Sequence, residues 1–409
     1  MEVKEMKLIE GGICAAKGFK ASGVHCGIRK NAVKKDIALI FSEVKASCAA
    51  VYTTNLVKGA PLKVTKSHIK DGYAQAAICN SGNANTCNSN GMEIAEKTCE
   101  LLAKEKKIKA DDIVVASTGV IGQPLDIAPI KAGIPELVKK LSAGGSSDAA
   151  EAIMTTDTVK KEIACEFLLS GKKCRMGGIA KGSGMIHPDM ATMLVFITTD
   201  VAISPEMLQN ALSGDIKDTF NMISIDGDTS TNDMVTVMAN GLAGNEEIKE
   251  ENDDFKTFMK ALNTVNVALC RMIASDGEGA TKMLECRVGG AQDILTAKKV
   301  AKSVICSSLV KAAMFGADAN WGRILCAIGY SKTDVDPDKI DVDLKSCKGT
   351  IAVCRNGAGV DFSEEKAKEI LSEKEIEIIV DLGLGDVSST AWGCDLTYDY
   401  VKINGDYRT

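Results

Sequence analysis

The sequence predicts an α+β protein, and three observations carry that reading. β-like runs come in adjacent groups, the helical segments are long, and the two kinds do not alternate strictly, as a doubly wound α/β fold would require. With 409 residues, 45% of them hydrophobic and 25% charged, the chain is long enough for two domains or one large layered unit.

Taken in order, "DIALIFSE" (36–43), "AAVYTT" (49–54) and "QAAICN" (75–80) read as strands. The 3.6-residue spacing of apolar positions in "EIAEKTCELLAKEK" predicts a helix over 92–107, and "DIVVAST" (112–118) predicts the next strand. "AGGSSD" (143–148) is a Gly/Ser loop leading into a helix over 149–160, and "SGKK" (170–173) is a polar turn after "EFLL". "TMLVFITTD" (192–200) is an apolar strand, and the charge run "NEEIKEENDDF" (245–255) is an exposed connection or a helix start. Ser363 caps a helix over 363–372, "EIEIIVDL" (375–382) is a strand, and the alternation of Trp392, Cys394, Leu396, Tyr398 and Tyr400 predicts a last half-buried one.

A net charge of −6 with no Lys/Arg cluster, and only 4% aromatic residues, argues against a nucleic-acid partner. No run approaches the roughly 18 apolar residues of a membrane span, and the N-terminal stretch lacks a signal-like apolar segment, so a cytoplasmic location is expected. The 15 cysteines are scattered, without CxxC spacing, and many sit in apolar runs such as those around Cys79 and Cys326; they read as small hydrophobes in a reducing compartment. Only three histidines are present, His25, His68 and His187, none spaced for a metal, and no metal site is expected.

Several catalytic devices are missing. No GxSxG elbow accompanies a histidine base, no GxxxxGK[ST] loop occurs, and in "GSGMIH" His187 stands where a dinucleotide fingerprint needs its third glycine. A threonine that becomes an N-terminus needs no histidine, because its own α-amine is the base. Thr192 follows the small Ala191 and the Gly/Pro stretch "GSGMIHPDM", which suits an attack of the hydroxyl on the preceding carbonyl, an N-to-O acyl shift and hydrolysis of the ester. A plain strand entry accounts for the same residues, and "STGVIG" (117–122) is equally a strand-to-loop turn or a pair of oxyanion donors.

Ten blocks in order decide between these readings: "GFKASGV" (18–24), "DIALIFSE", "VYTTNLVKGAPL" (51–62), "NSGNANTCN" (80–88), "VASTGVIGQPL" (115–125), "AIMTTDT" (152–158), "IDGDTSTND" (225–233), "SDGEGATK" (275–282), "GADANWGRI" (316–324) and "DLTYDYVKIN" (395–404). With "GGIAKGSGMIHPDMATMLVFITTD" (177–200) they resemble, over nearly the whole length, the ornithine acetyltransferase family, the bifunctional glutamate N-acetyltransferases. The resemblance implies a layered α/β/β/α sandwich, similar to N-terminal nucleophile hydrolases but connected differently. It implies self-cleavage between Ala191 and Thr192 into an α chain (1–191) and a β chain (192–409), assembled as an α2β2 heterotetramer.

Thr192 would then take the acetyl group of N-acetylornithine and pass it to glutamate in arginine biosynthesis. Thr118 and Gly119 would form the oxyanion hole. Thr155, Lys181, Thr192, Glu278, Asn404 and Thr409 would contact substrate, with Thr156 and Thr158 as neighbouring alternatives to Thr155. No cofactor is implied, acetyl-CoA being a second acetyl donor in bifunctional members, and His187 is given no role. An N-terminal-nucleophile amidohydrolase or aminopeptidase on the same scaffold is the competing enzyme; a binding protein with a buried, uncut Thr192 is the non-enzymatic one.

Overall fold

A computed structural model describes residues 6–30, 33–187 and 193–405, so Ala191, Thr192 and Thr409 lie outside the described residues. The chain forms two compact units. Unit 1 comprises Met1–Gly182, Asp189–Lys217 and Thr229–Leu269; unit 2 comprises Ser183–Pro188, Asp218–Asp228 and Cys270–Thr409.

Among the described residues, unit 1 holds a nine-stranded mixed sheet. Its members are β1 (Lys7–Ile9), β2 (Phe19–Val24), β3 (Ile37–Tyr52), β4 (Tyr73–Asn83), β5 (Ile113–Val120), β6 (Lys161–Leu169), β7 (Lys172–Lys181), β8 (Leu194–Thr199) and β10 (Met234–Ala239), with β9 (Ile223–Ser224) in unit 2. The order is β1-β6-β7-β8-β10-β3-β4-β5, and β2 also pairs with β3. The expected strands at 36–43 and 49–54 are one long strand, β3. The exposed Glu43, Val44 and Lys45 between them form an irregularity in the β3–β4 register, between Phe41 and Ala46, and do not break the chain.

The two-residue period of the strands builds two cores. Ile37, Leu39, Ala76, Ile78, Ile113 and Val115 share one with residues of the helices Gly91–Lys106 and Ile127–Lys139. Ala38, Ile40, Ala77, Cys79, Val114 and Ala116 share the other with Ala149, Ala150, Ala152 and Ile153 of the helix Ser146–Ile153. A sheet buried on both faces needs near-continuous apolar strands, as "IALI" and "AAIC" are.

The helix expected over 149–160 runs from Ser146 to Ile153. It starts inside the Gly/Ser stretch and ends where Asp157 accepts a hydrogen bond from the Thr155 N–H at 2.9 Å, drawing the chain out of helical geometry. "SGKK" is the turn of the β6–β7 hairpin, with Ser170 and Gly171 both left-handed (φ +45° and +79°). The charge run ends in the helix Asp253–Ser275, whose first turn carries Asp253 and Asp254 at the positive end of the dipole.

Unit 2 carries a second mixed sheet, of β9, β11 (Met283–Ala291), β12 (Asp341–Ser346), β13 (Gly349–Arg355), β14 (Ala358–Gly359), β15 (Glu375–Asp381) and β16 (Val387–Cys394), in the order β14-β13-β12-β15-β11-β16-β9. The helix Ile294–Cys306 packs on β11 and β16, and the helix Glu364–Leu371 packs on β12. Ser363 caps the latter by accepting from the Lys366 N–H at 3.1 Å, as its sequence position predicts. The alternating run 392–400 is only half a strand. β16 ends at Cys394, and Thr397 accepts from the Tyr400 N–H, which starts the helix Tyr398–Asn404 and places both tyrosines on it.

Helices together with two mixed sheets make this an α+β sandwich, the class read from the sequence. All 15 cysteines are free, and ten are buried; burial pushes the Cys79 thiol up to about 12, which suits an inert small hydrophobe. Cys326 departs from expectation and is exposed, because its side of the helix Trp321–Gly329 lies opposite the buried Ile324, Ala327 and Ile328. Among the described residues, no helix is long and apolar enough to cross a membrane.

Candidate active site

The end of β5 is shaped by two glycines. Gly119 (φ +127°) pairs with Gly82 (φ +100°) of β4, and a Cβ on Gly119 would stand 2.4 Å from the Gly82 carbonyl carbon and 2.6 Å from the Asn83 nitrogen. Only glycine fits that backbone approach. The carbonyl just before Thr118 is fixed as well: Asn232 Nδ2 donates to Ser117 O (2.9 Å) and Ala84 O (2.5 Å), while its Oδ1 accepts from the hydroxyls of Thr86 and Thr231, both at 2.6 Å. A buried amide satisfied at both ends holds one orientation.

Lys181 ends β7 and pairs with Leu194, the first residue of β8, whose other neighbour is Met234, the first residue of β10. Lys181, Leu194 and Met234 thus stand side by side at the ends of three neighbouring strands. Lys181 Nζ donates to Thr118 Oγ1 at 3.3 Å. An ammonium can only donate, so the Thr118 oxygen accepts there and its own O–H remains available to a ligand oxygen. Lys181 makes no ion pair among the described residues, and it is half-buried.

Asp157 lies behind Lys181. Its Oδ1 accepts from Lys161 Nζ (2.7 Å) and from the Gly182 N–H (2.7 Å), and its Oδ2 accepts from the Thr155 N–H (2.9 Å). Both members of the Asp157–Lys161 pair are fully buried. Burial alone would raise the Asp157 pKa, but the charges of Lys161 and Lys181 and the hydrogen bonds outweigh it and hold the carboxyl down at about 2. Thr155 is thus tied into the cluster, whereas Thr158 is exposed.

Asp233, the residue before β10, is buried, and its Oδ2 has no hydrogen-bond partner among the described residues. Burial pushes its pKa well above the ordinary carboxylate value, against the opposing charge of Lys181. Asp157 is committed to Lys161, and Lys181 pairs with no carboxylate among the described residues, which leaves it as the cation of the group. That arrangement suits a ligand carboxylate.

In unit 2, Asn404 Nδ2 donates to Glu278 Oε2 at 2.7 Å, and Glu278 lies against Gly184, where a Cβ would stand 2.4 Å from its carboxylate. The segment before the expected cleavage point is held within the same unit. Asp226 accepts from the Met185 N–H (2.6 Å), the Ile186 N–H (2.9 Å) and the Tyr400 hydroxyl (3.3 Å), and Ser183 Oγ donates to Asp276 O at 2.6 Å. His187 Nδ1 lies 3.1 Å from Ser224 Oγ and 3.5 Å from Cys306 Sγ.

Of the residues singled out from the sequence, Thr118, Gly119, Thr155 and Lys181 are joined in unit 1, and Glu278 pairs with Asn404 in unit 2. Thr192, Ala191 and Thr409 fall outside the described residues. Sequence reasoning passed over Asp157, Asp226, Asn232 and Asp233. Their signal was present in "TTDT" and "IDGDTSTND", where acids and amides crowd short polar segments.

The ArgJ family model matches residues 20–409. The chain belongs to the ArgJ family. The arginine biosynthesis bifunctional protein ArgJ of Caldanaerobacter subterraneus subsp. tengcongensis is 51% identical over 99% of this chain and the whole of the relative. The arginine biosynthesis bifunctional protein ArgJ 1 of Clostridium acetobutylicum is 51% identical over 96% of each. A solved structure of ornithine acetyltransferase with ornithine, from Mycobacterium tuberculosis, shares 35% identity over 46% of this chain and all of that one, with a TM-score of 0.43. The resemblance carried by the ten sequence blocks is therefore borne out, and this ArgJ-family chain is an enzyme of arginine biosynthesis.

Proposed function

We propose that this ArgJ-family chain cuts itself between Ala191 and Thr192 and then moves the acetyl group of N-acetylornithine to glutamate through an ester on Thr192. The observation that carries the reading is the Lys181–Thr118 contact beside the glycine-forced end of β5: a cation for a substrate carboxylate, and a hydroxyl proton directed to an oxyanion. Thr192 precedes β8, whose first residue pairs with Lys181, by two positions in sequence.

In the proposed reaction the amine of Thr192 takes the hydroxyl proton as the oxygen attacks the acetyl carbonyl. Thr118 and the Gly119 N–H stabilise the tetrahedral oxyanion, which collapses to acetyl-threonine and releases ornithine. The amine of glutamate attacks the ester, and N-acetylglutamate leaves with Thr192 restored. Glu278, paired to Asn404, is a candidate anion for a ligand ammonium. The two chains of the cut protein would stay interleaved, since β8 and β10 pair with β7 and β3 in one sheet. No cofactor enters the reaction, and acetyl-CoA would serve only as a second acetyl donor. We further propose an α2β2 assembly of the two chains in the cytoplasm.

Kinetics with two acceptors test the reading. With N-acetylornithine as donor, ornithine release in the presence of glutamate should exceed release into water by about 10²-fold or more, because an acceptor bound by its carboxylate is held in attacking position. Equal rates with and without glutamate would make the protein an amidohydrolase.

A further inference from the structure

We propose that Asp157 is the positioning residue of the substrate-carboxylate site, gripping the backbone on both sides of it through its two oxygens; the proposal rests on the transferase reading above. Each oxygen takes one backbone N–H from a different segment: Oδ2 from Thr155, in the turn after the helix Ser146–Ile153, and Oδ1 from Gly182, next to Lys181. The β6–β7 ladder sets Lys161 opposite Ala180, so the two segments flank the open end of one hairpin. The Asp157 carboxylate ties the Thr155 turn, which precedes that ladder, to Gly182, which follows it, and so places Thr155 relative to the residue that bears the Lys181 ammonium.

The carboxylate is suited to this and an amide is not. Two acceptor oxygens meet two N–H donors, whereas asparagine would offer one oxygen and turn its NH₂ toward the other donor. The bond to Lys161 serves a separate need: it compensates the charge of Asp157 in a place that excludes water. The grip can be broken without stranding a charge: the double variant Asp157→Asn/Lys161→Met keeps the net charge of the wild type and removes one acceptor oxygen, whereas Lys161→Met alone would leave a buried carboxylate without its counter-charge.

The test measures KM and kcat for N-acetylornithine and for glutamate on the double variant, with folding checked by circular dichroism and chain splitting by intact mass. The double variant should fold and split as the wild type does, raise KM for both carboxylate-bearing substrates roughly tenfold or more, and change kcat less, since misplacement of a binding group by about 1 Å is worth up to about 10²-fold. A double variant with wild-type KM overturns the proposal, as does one in which kcat falls as far as KM rises. Wild-type protein that transfers no acetyl group would instead defeat the transferase reading on which the proposal stands.

Discussion

Thr192→Ala is expected to stay one chain of 43.2 kDa and to transfer acetyl groups at least about 10⁴-fold more slowly than the wild type. Both losses come from one atom. In the proposed mechanism the hydroxyl that would attack the Ala191 carbonyl in the precursor is the one that would attack the acetyl carbonyl in the mature enzyme, and the amine proposed as base would exist only after the first reaction. Intact mass and an ornithine-release assay on the same preparation read the two effects together. Splitting of the alanine variant at the same bond would show that another protease makes the cut, and retained transferase activity would remove Thr192 from the chemistry.

Thr118→Val is the second large effect. It keeps the shape of a buried side chain and removes the hydroxyl proposed to donate to the tetrahedral oxygen, and loss of one such donor usually costs about 10²–10³-fold in kcat. KM should change much less. Valine takes away an acceptor from Lys181, but the ammonium keeps its charge and its place at the end of β7. The discriminating quantity is the ratio of the two effects under saturating substrate. A variant that loses KM and keeps kcat would make Thr118 a binding residue and move the oxyanion site elsewhere.

Much of the fold was legible because strands buried on both faces leave apolar runs that cannot be hidden in sequence. What misled was local chemistry overriding pattern. The polar "EVK" inside β3 reads as a break but is an exposed irregularity in one strand. The alternation after Trp392 continues into a helix because Thr397 caps it. In the candidate site, the residues proposed to contact ligands were named through family motifs, whereas the residues that hold them in place were not. Asp157 and Asn232 act through hydrogen bonds to backbone groups far off in sequence, at separations of 25 and 115 residues, and no spacing rule reports such partners. Asp233 could be seen as unusual only once its burial and its unpartnered oxygen were known.

The most direct test of the central claim is to mix the wild-type protein with N-acetylornithine in the absence of glutamate, quench with acid within a turnover, and measure the intact mass of every chain. Two chains are expected, with the one beginning at Thr192 heavier by a single acetyl group and the one ending at Ala191 unchanged. An uncut chain that still transfers acetyl groups, or an acetyl group carried anywhere other than on Thr192, would contradict it.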